Sequence, residues 1–163
     1  MKKIILTLII SLTATGLYAD DWMLATALLY TSPGTQTQQP TDYGYGWIKL
    51  DASKKTNVEK FEYDAKKTQK RADIKYYSSK SYHFVGIYKI TVDKQIKNSK
   101  EKKEVVIYKI YAGRTAEGIQ KELADDSKIW KFKQVEVIKL IDIKNELLAL
   151  NAQNQSYSTI KAF

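Results

Sequence analysis

The 163-residue chain contains no cysteine and a single histidine, His83. That excludes a disulfide framework, a lipid anchor on cysteine and a thiol nucleophile. It also excludes a zinc site built from paired histidines or cysteines. His83 lies between Tyr82 and Phe84 and reads as a core or edge residue of a strand, not as a catalyst. The seven glycines are scattered and form no loop of the kinds that cradle nucleotide phosphates. No internal repeat is present. Long apolar runs are lacking too, and the longest candidate, at the N-terminus, is too short for a spanning helix.

That N-terminal run has a different meaning. Lys2 and Lys3 supply positive charge, Ile4 to Leu12 are apolar apart from Thr7 and Ser11, and Ala19 offers a small residue for cleavage. This order predicts a secretory signal peptide over residues 1–19 and a mature protein that starts at Asp20. The protein is therefore expected to be exported, to the periplasm or beyond the cell, with no transmembrane segment after cleavage. The alternative is an uncleaved anchor continued by the apolar stretch Trp22 to Tyr30, which Asp20 and Asp21 interrupt.

What remains is about one domain, large enough to bury a core without staples. Lys and Arg number 27 against 18 acidic residues, and the signal segment removes only two of the basic ones. A basic excess favours acidic partners such as nucleic acid, anionic headgroups or acidic polysaccharide. The same excess also suits a soluble surface that binds nothing in particular.

Along the chain, residues 20–46 read as an N-terminal segment and linker. Trp22 to Tyr30 is a helix or strand, and Thr31 to Gly46 is rich in Thr, Gln, Gly and Pro, with Pro33-Gly34 as a turn. Residues 47–163 form a basic α+β domain. Trp47 to Asp51 is a short strand, and Val58 to Tyr77 leans to helix on the spacing of Val58, Phe61, Ala65, Ala72 and Tyr76. Phe84 to Val92 and Val105 to Tyr111 are β-branched and aromatic and make an antiparallel hairpin around the polar run Asp93 to Glu104. Tyr88 shares parity with Ile90 and Val92, which points it inward. Gly113 closes the second strand, and Thr115 caps a helix through Asp125 with Ile119 and Leu123 on one face. Trp130 to Ile141 reads as a third strand covered on both sides. Asp142 caps a last helix, with Leu147 and Leu148 expected in the core. The order strand, strand, helix, strand, helix implies a small sheet with helices packed over it.

Gly86-Ile87-Tyr88 in the first hairpin strand, and Tyr111-Ala112-Gly113-Arg114-Thr115 closing the second, resemble the GIY-YIG nuclease family. In that family the two tripeptides lie on the first two strands of such a domain, and the resemblance covers about Tyr82 to Gln155. It implies that Tyr88 and Tyr111 would orient or activate water. An arginine on the first helix and a metal-binding glutamate on a later one would complete the site.

Both of those are replaced here. Lys121 or Glu122 stands at the arginine position, and lysine lacks the planar two-pronged donor. Asn151 stands where the carboxylate belongs and is a poor sole anchor for magnesium; Glu146 lies more than one turn away. The stretch between Tyr88 and Tyr111 is about twice the family's usual length, which makes the lysine-rich run an insertion. The resemblance therefore implies a degenerate site of Tyr88, Tyr111, Lys121 and Asn151, with no metal or other cofactor unless a nuclease activity survives.

The remaining candidates are cationic. Lys89, Lys97, Lys100, Lys102, Lys103 and Arg114 are expected to meet a polyanion. Lysine–tyrosine interleaving, as in Lys75-Tyr76-Tyr77 and Tyr108-Lys-Ile-Tyr111, suits single-stranded nucleic acid or else a core of strand tyrosines under a wetted surface. Asp125-Asp126 reads as a solvated pair ending a helix. Three functions follow. The first is a non-catalytic binder of nucleic acid or another polyanion. The second is an envelope protein that docks Trp22 to Tyr30 on a protein or membrane partner, and the third is a divergent exported nuclease.

Overall fold

A computed structural model describes residues 22–30, 39–49, 54–68, 71–152 and 157–161; the expected signal segment lies outside the described residues. In chain order the elements are β1 (Trp22–Tyr30), β2 (Asp42–Lys49), α1 (Lys54–Thr68), β3 (Arg71–Tyr77), β4 (Phe84–Gln95) and β5 (Lys102–Gly113). They continue with α2 (Ala116–Trp130), β6 (Gln134–Asp142), α3 (Ile143–Ala152) and β7 (Tyr157–Lys161). Two antiparallel sheets result, one ordered β3-β1-β2-β7 and the other β5-β4-β6. The fold is α+β, as expected. Among the described residues, no helix is long and apolar enough to cross a membrane.

Apolar side chains on both faces of each sheet explain the layering. Trp22 and Leu24 of β1 and Tyr45 and Trp47 of β2 meet Val85 and Ile87 of β4 in a core between the sheets. The aromatic–glycine alternation Tyr43-Gly-Tyr-Gly-Trp47 fits this position. Its aromatic rings face that core, while Gly44 and Gly46 pair with Ala27 and Ala25 on the face that α1 covers with Phe61 and Ala65. The outer face of the second sheet is covered by α2, through Ile119 and Leu123 against Tyr88, Ile90, Ile107 and Tyr111. Ile143, Leu147 and Leu150 of α3 close the central core.

Several expectations need correcting. Trp22 to Tyr30, read as a helix or strand, is an inner strand buried on both faces and not a free apolar patch. Such a strand reads as one continuous apolar run, which periodicity cannot tell from a helix. The expected boundary at residue 46 therefore falls inside β2. Val58 to Tyr77 divides into a helix and a strand, because β3 pairs with the free edge of β1. Trp130 ends α2, where Lys131 takes a left-handed conformation (φ 51°). Residues 134–142 then form an edge strand, with Val137 54% exposed. Leu147 is buried, but Leu148 points outward, 56% exposed.

The hairpin is also longer than expected. Asp93, Lys94 and Gln95 pair with Glu104, Lys103 and Lys102, so the ladder runs far into the polar stretch. Lys133 holds it together from the side, its Nζ lying 2.7 Å from Asp93 Oδ1 and 3.3 Å from Glu104 Oε2. Only residues 96–101 turn, with Asn98 in the left-handed region (φ 64°) that asparagine tolerates.

Candidate nucleic-acid interface and the paired tyrosines

Strand alternation places Gly86, Tyr88 and Ile90 on the face of β4 beneath α2. The ladder sets Tyr111 opposite Gly86 and Lys109 opposite Tyr88. The two tyrosine rings meet edge to face, 5.7 Å apart. Gly86 makes this contact possible, because a Cβ there would lie 2.5 Å from the Tyr88 ring. The ring uses the space that the missing side chain leaves.

From above, α2 completes the arrangement. Thr115 starts the helix by accepting a hydrogen bond from Gly118 N (3.0 Å), which is worth about 0.5–2 kcal/mol in typical caps. Two turns beyond Ile119, Asp126 comes down over β5. Its Oδ2 accepts hydrogen bonds from the Tyr111 hydroxyl (2.7 Å) and from Lys109 Nζ (2.6 Å). Gln120 Nε2 donates to the Tyr88 hydroxyl at 3.3 Å.

The electrostatics follow from these contacts. Burial first, then the bond to Asp126, pushes the Tyr111 phenol far above its ordinary range, and burial raises Tyr88 as well. Lys109, then Tyr111, holds the Asp126 carboxyl below its usual value. Both phenols therefore stay protonated, and the nearest cation is already paired. A group that must take a proton from water, or clamp a phosphate, is poorly served by such a network.

The other expected site residues do not join it. Lys121 is exposed on α2, and Asn151 belongs to the last turn of α3, its side chain outside the described residues. Glu146 sits across the sheet, accepting from Trp47 Nε1 (3.2 Å) and pairing with Lys139 (3.5 Å). Among the described residues no three His, Asp or Glu side chains are grouped to hold a metal. Asp125 and Asp126 do not end a helix as a solvated pair. They lie inside α2, Asp125 bonded to Lys128 at 3.0 Å and Asp126 in the tyrosine network. His83 is exposed at the start of β4, its Nδ1 3.1 Å from Arg114 O.

Lys109, Gln120 and Asp126 were missed from sequence. Signals for two of them existed: Asp126 is two helical turns past Ile119, and Lys109 is one pleat from Tyr111.

The cationic candidates separate into a cluster of four lysines and two outliers. Lys97 and Lys100 sit in the turn, and Lys102 and Lys103 open β5; all four are exposed and have no ion pair among the described residues. Lys94 stands directly across the ladder from Lys103. Like charges facing each other across strands are unfavourable, so the tip carries a concentrated positive field. Lys89, by contrast, lies mid-strand, 3.6 Å from Glu136. Arg114 follows the far end of the 12-residue β5, some 35 Å from the tip at roughly 3.3 Å per residue.

Most interleaved tyrosines are packed rather than presented. Tyr77 contacts Tyr82 edge to face, Tyr108 lies against Tyr43, and the Tyr76 hydroxyl donates to Glu62 (2.8 Å). Compared with family models, curated proteins and solved structures, the chain matches none.

Proposed function

We propose that this chain is an exported, non-catalytic protein that binds nucleic acid or another polyanion through the tip of the β4–β5 hairpin. Its second sheet is read as a GIY-YIG-like unit whose tyrosines have become part of the core. The observation that carries the reading is the cluster of Lys97, Lys100, Lys102 and Lys103, exposed and without an ion pair among the described residues. Export rests on the charge and apolar pattern of residues 1–19.

Docking through Trp22 to Tyr30 loses its support, because most of those residues are buried in the inner strand β1. Cleavage is disfavoured by the closed Tyr111–Asp126–Lys109 network.

Binding to oligonucleotides across a salt series tests the proposal. Log affinity should fall with log salt at about 0.9 per neutralised phosphate on duplex and about 0.7 on single strands. Replacing Lys97, Lys100, Lys102 and Lys103 together with glutamine should flatten that slope. Absence of salt-sensitive binding would refute the reading. Metal-dependent cutting lost in Tyr111→Phe would replace it with the nuclease reading.

A further inference from the structure

On the α2 side of the hairpin, just before the lysine tip, lies a cleft of about 300 Å³. Its lining includes Val92, Val105 and Ile107 from the strands, and Trp130 and Phe132 from the end of α2 and the segment after it. Val92 and Val105 face each other across the ladder, and the next pair on the same face is Lys94 and Lys103. Lys94 itself lines the cleft. A trough with apolar and aromatic residues on its lining, and Gln39, Asp93, Gln95 and Lys109 beside them, therefore opens, one pleat further along, onto the facing Lys94 and Lys103.

Trp130 is the unusual member. It is 63% exposed at the end of a helix, whereas Trp22 and Trp47 are 2% and 0% exposed. A large aromatic left in water beside a cleft and a lysine cluster has the composition of a stacking platform for an unpaired base. Along the strands, two residues, about 7 Å, separate the Val92–Val105 pair from the Lys94–Lys103 pair.

We infer that this cleft seats one unstacked base of single-stranded nucleic acid, with Trp130 as the stacking residue and the hairpin tip holding the adjoining phosphates. The inference rests on the polyanion reading and narrows its ligand. Duplex DNA keeps its bases stacked and paired, so it engages the lysines without filling the cleft.

The test uses the purified full-length protein with a single-stranded oligonucleotide and a duplex of equal length at matched salt. Because the other two tryptophans are buried, fluorescence that is both accessible to acrylamide and quenched by ligand reports on Trp130. The single strand should quench it and shield it from acrylamide, and the duplex should not. Trp130→Ala should weaken single-strand binding roughly tenfold, with the salt slope and duplex affinity unchanged. Trp130→Phe, which keeps a stacking face, should recover most of the loss.

Unchanged single-strand affinity in Trp130→Ala, with salt-dependent binding intact, would overturn the base seat and leave the polyanion reading standing. No binding of either oligonucleotide would remove both. Uptake of a long-chain carboxylate that protects Trp130, with no effect of oligonucleotide on its fluorescence, would reassign the cleft to a lipid and overturn the inference.

Discussion

The two ends of the β4–β5 hairpin use similar residues in opposite ways. At the base, Lys109 has Asp126 at 2.6 Å and lies 5.6 Å from the centres of the Tyr111 and Phe132 rings. Lys103, on the same strand and the same face, looks across at Lys94. What differs is the layer above. Over the base, α2 supplies a carboxylate, a glutamine and an apolar cover, so polar groups there find partners within the chain. At the tip, Lys97, Lys100, Lys102 and Lys103 are exposed and have no ion pair among the described residues. A reactive residue type becomes a functional group only where the fold leaves it unsatisfied.

The strongest way to break this comparison is to truncate the base. Tyr88 is fully buried, so Tyr88→Ala should cost about 3–5 kcal/mol, read from urea unfolding. Oligonucleotide binding by the fraction still folded should be unaffected. Normal stability with lost binding would show instead that the tyrosines face a ligand.

A second measurement calibrates what burial alone is worth in this chain. Leu147→Ala should cost roughly 2–5 kcal/mol, and Leu148→Ala about 0.5 kcal/mol or less, since only the first side chain enters the central core. Sequence alone did not separate these two leucines. Both lie on an amphipathic helix, and which one turns inward depends on how α3 leaves Asp142, whose Oδ1 accepts from Asn145 N at 3.1 Å.

The same limit governs the rest of the fold. Local chemistry was readable: the hairpin strands, the Thr115 cap, the Asp142 cap and the inward parity of Tyr88 follow from side chains within a few residues. Whatever depended on a distant layer was not. An inner strand such as β1 has no alternation because two layers cover it, and β6 looks buried by composition although, among the described residues, no strand flanks its outer edge. In the candidate site, the tyrosines and the lysine cluster were legible. The role of Asp126 was legible only in part: its place two turns past Ile119 sets it on the inward side of α2, but its partners lie on β5, a separate element.

A finer test separates a structural hydrogen bond from a chemical one. Tyr111→Phe removes one of the two donors to Asp126 and should cost about 1.5 kcal/mol, low for a bond to a carboxylate because Lys109 still holds that oxygen. The pH dependence carries a sign. The Asp126 carboxyl titrates lower in the folded protein than in the unfolded chain. Its stabilising contribution is therefore complete above the unfolded value and disappears as pH falls through the folded one. Asp126→Asn should be less stable at neutral pH and lose less on acidification, so the two stability curves converge toward low pH. Parallel curves in urea unfolding between neutral and acidic pH would mean that the network contributes nothing.

The smallest expected effect on stability is also the most informative, because the comparison requires it to be small. Lys97, Lys100, Lys102 and Lys103 make no internal ion pair among the described residues, and Lys103 faces Lys94 across the ladder. Replacing all four with glutamine therefore relieves the Lys94–Lys103 repulsion and breaks no ion pair among the described residues. Surface substitutions away from special features shift stability by about 0.5 kcal/mol or less, and here the sign should be stabilising. The gain should shrink as salt screens the tip, over a Debye length of about 10 Å at 0.1 M. The urea midpoint of this variant should accordingly sit at or slightly above that of the parent protein in low salt and coincide with it in high salt. A destabilised variant would show that the tip lysines hold the hairpin together, and the contrast between a satisfied base and an unsatisfied tip would fail. A variant that folds as well as its parent yet loses its salt-sensitive grip on oligonucleotides would show that the tip's charge serves a partner outside the chain.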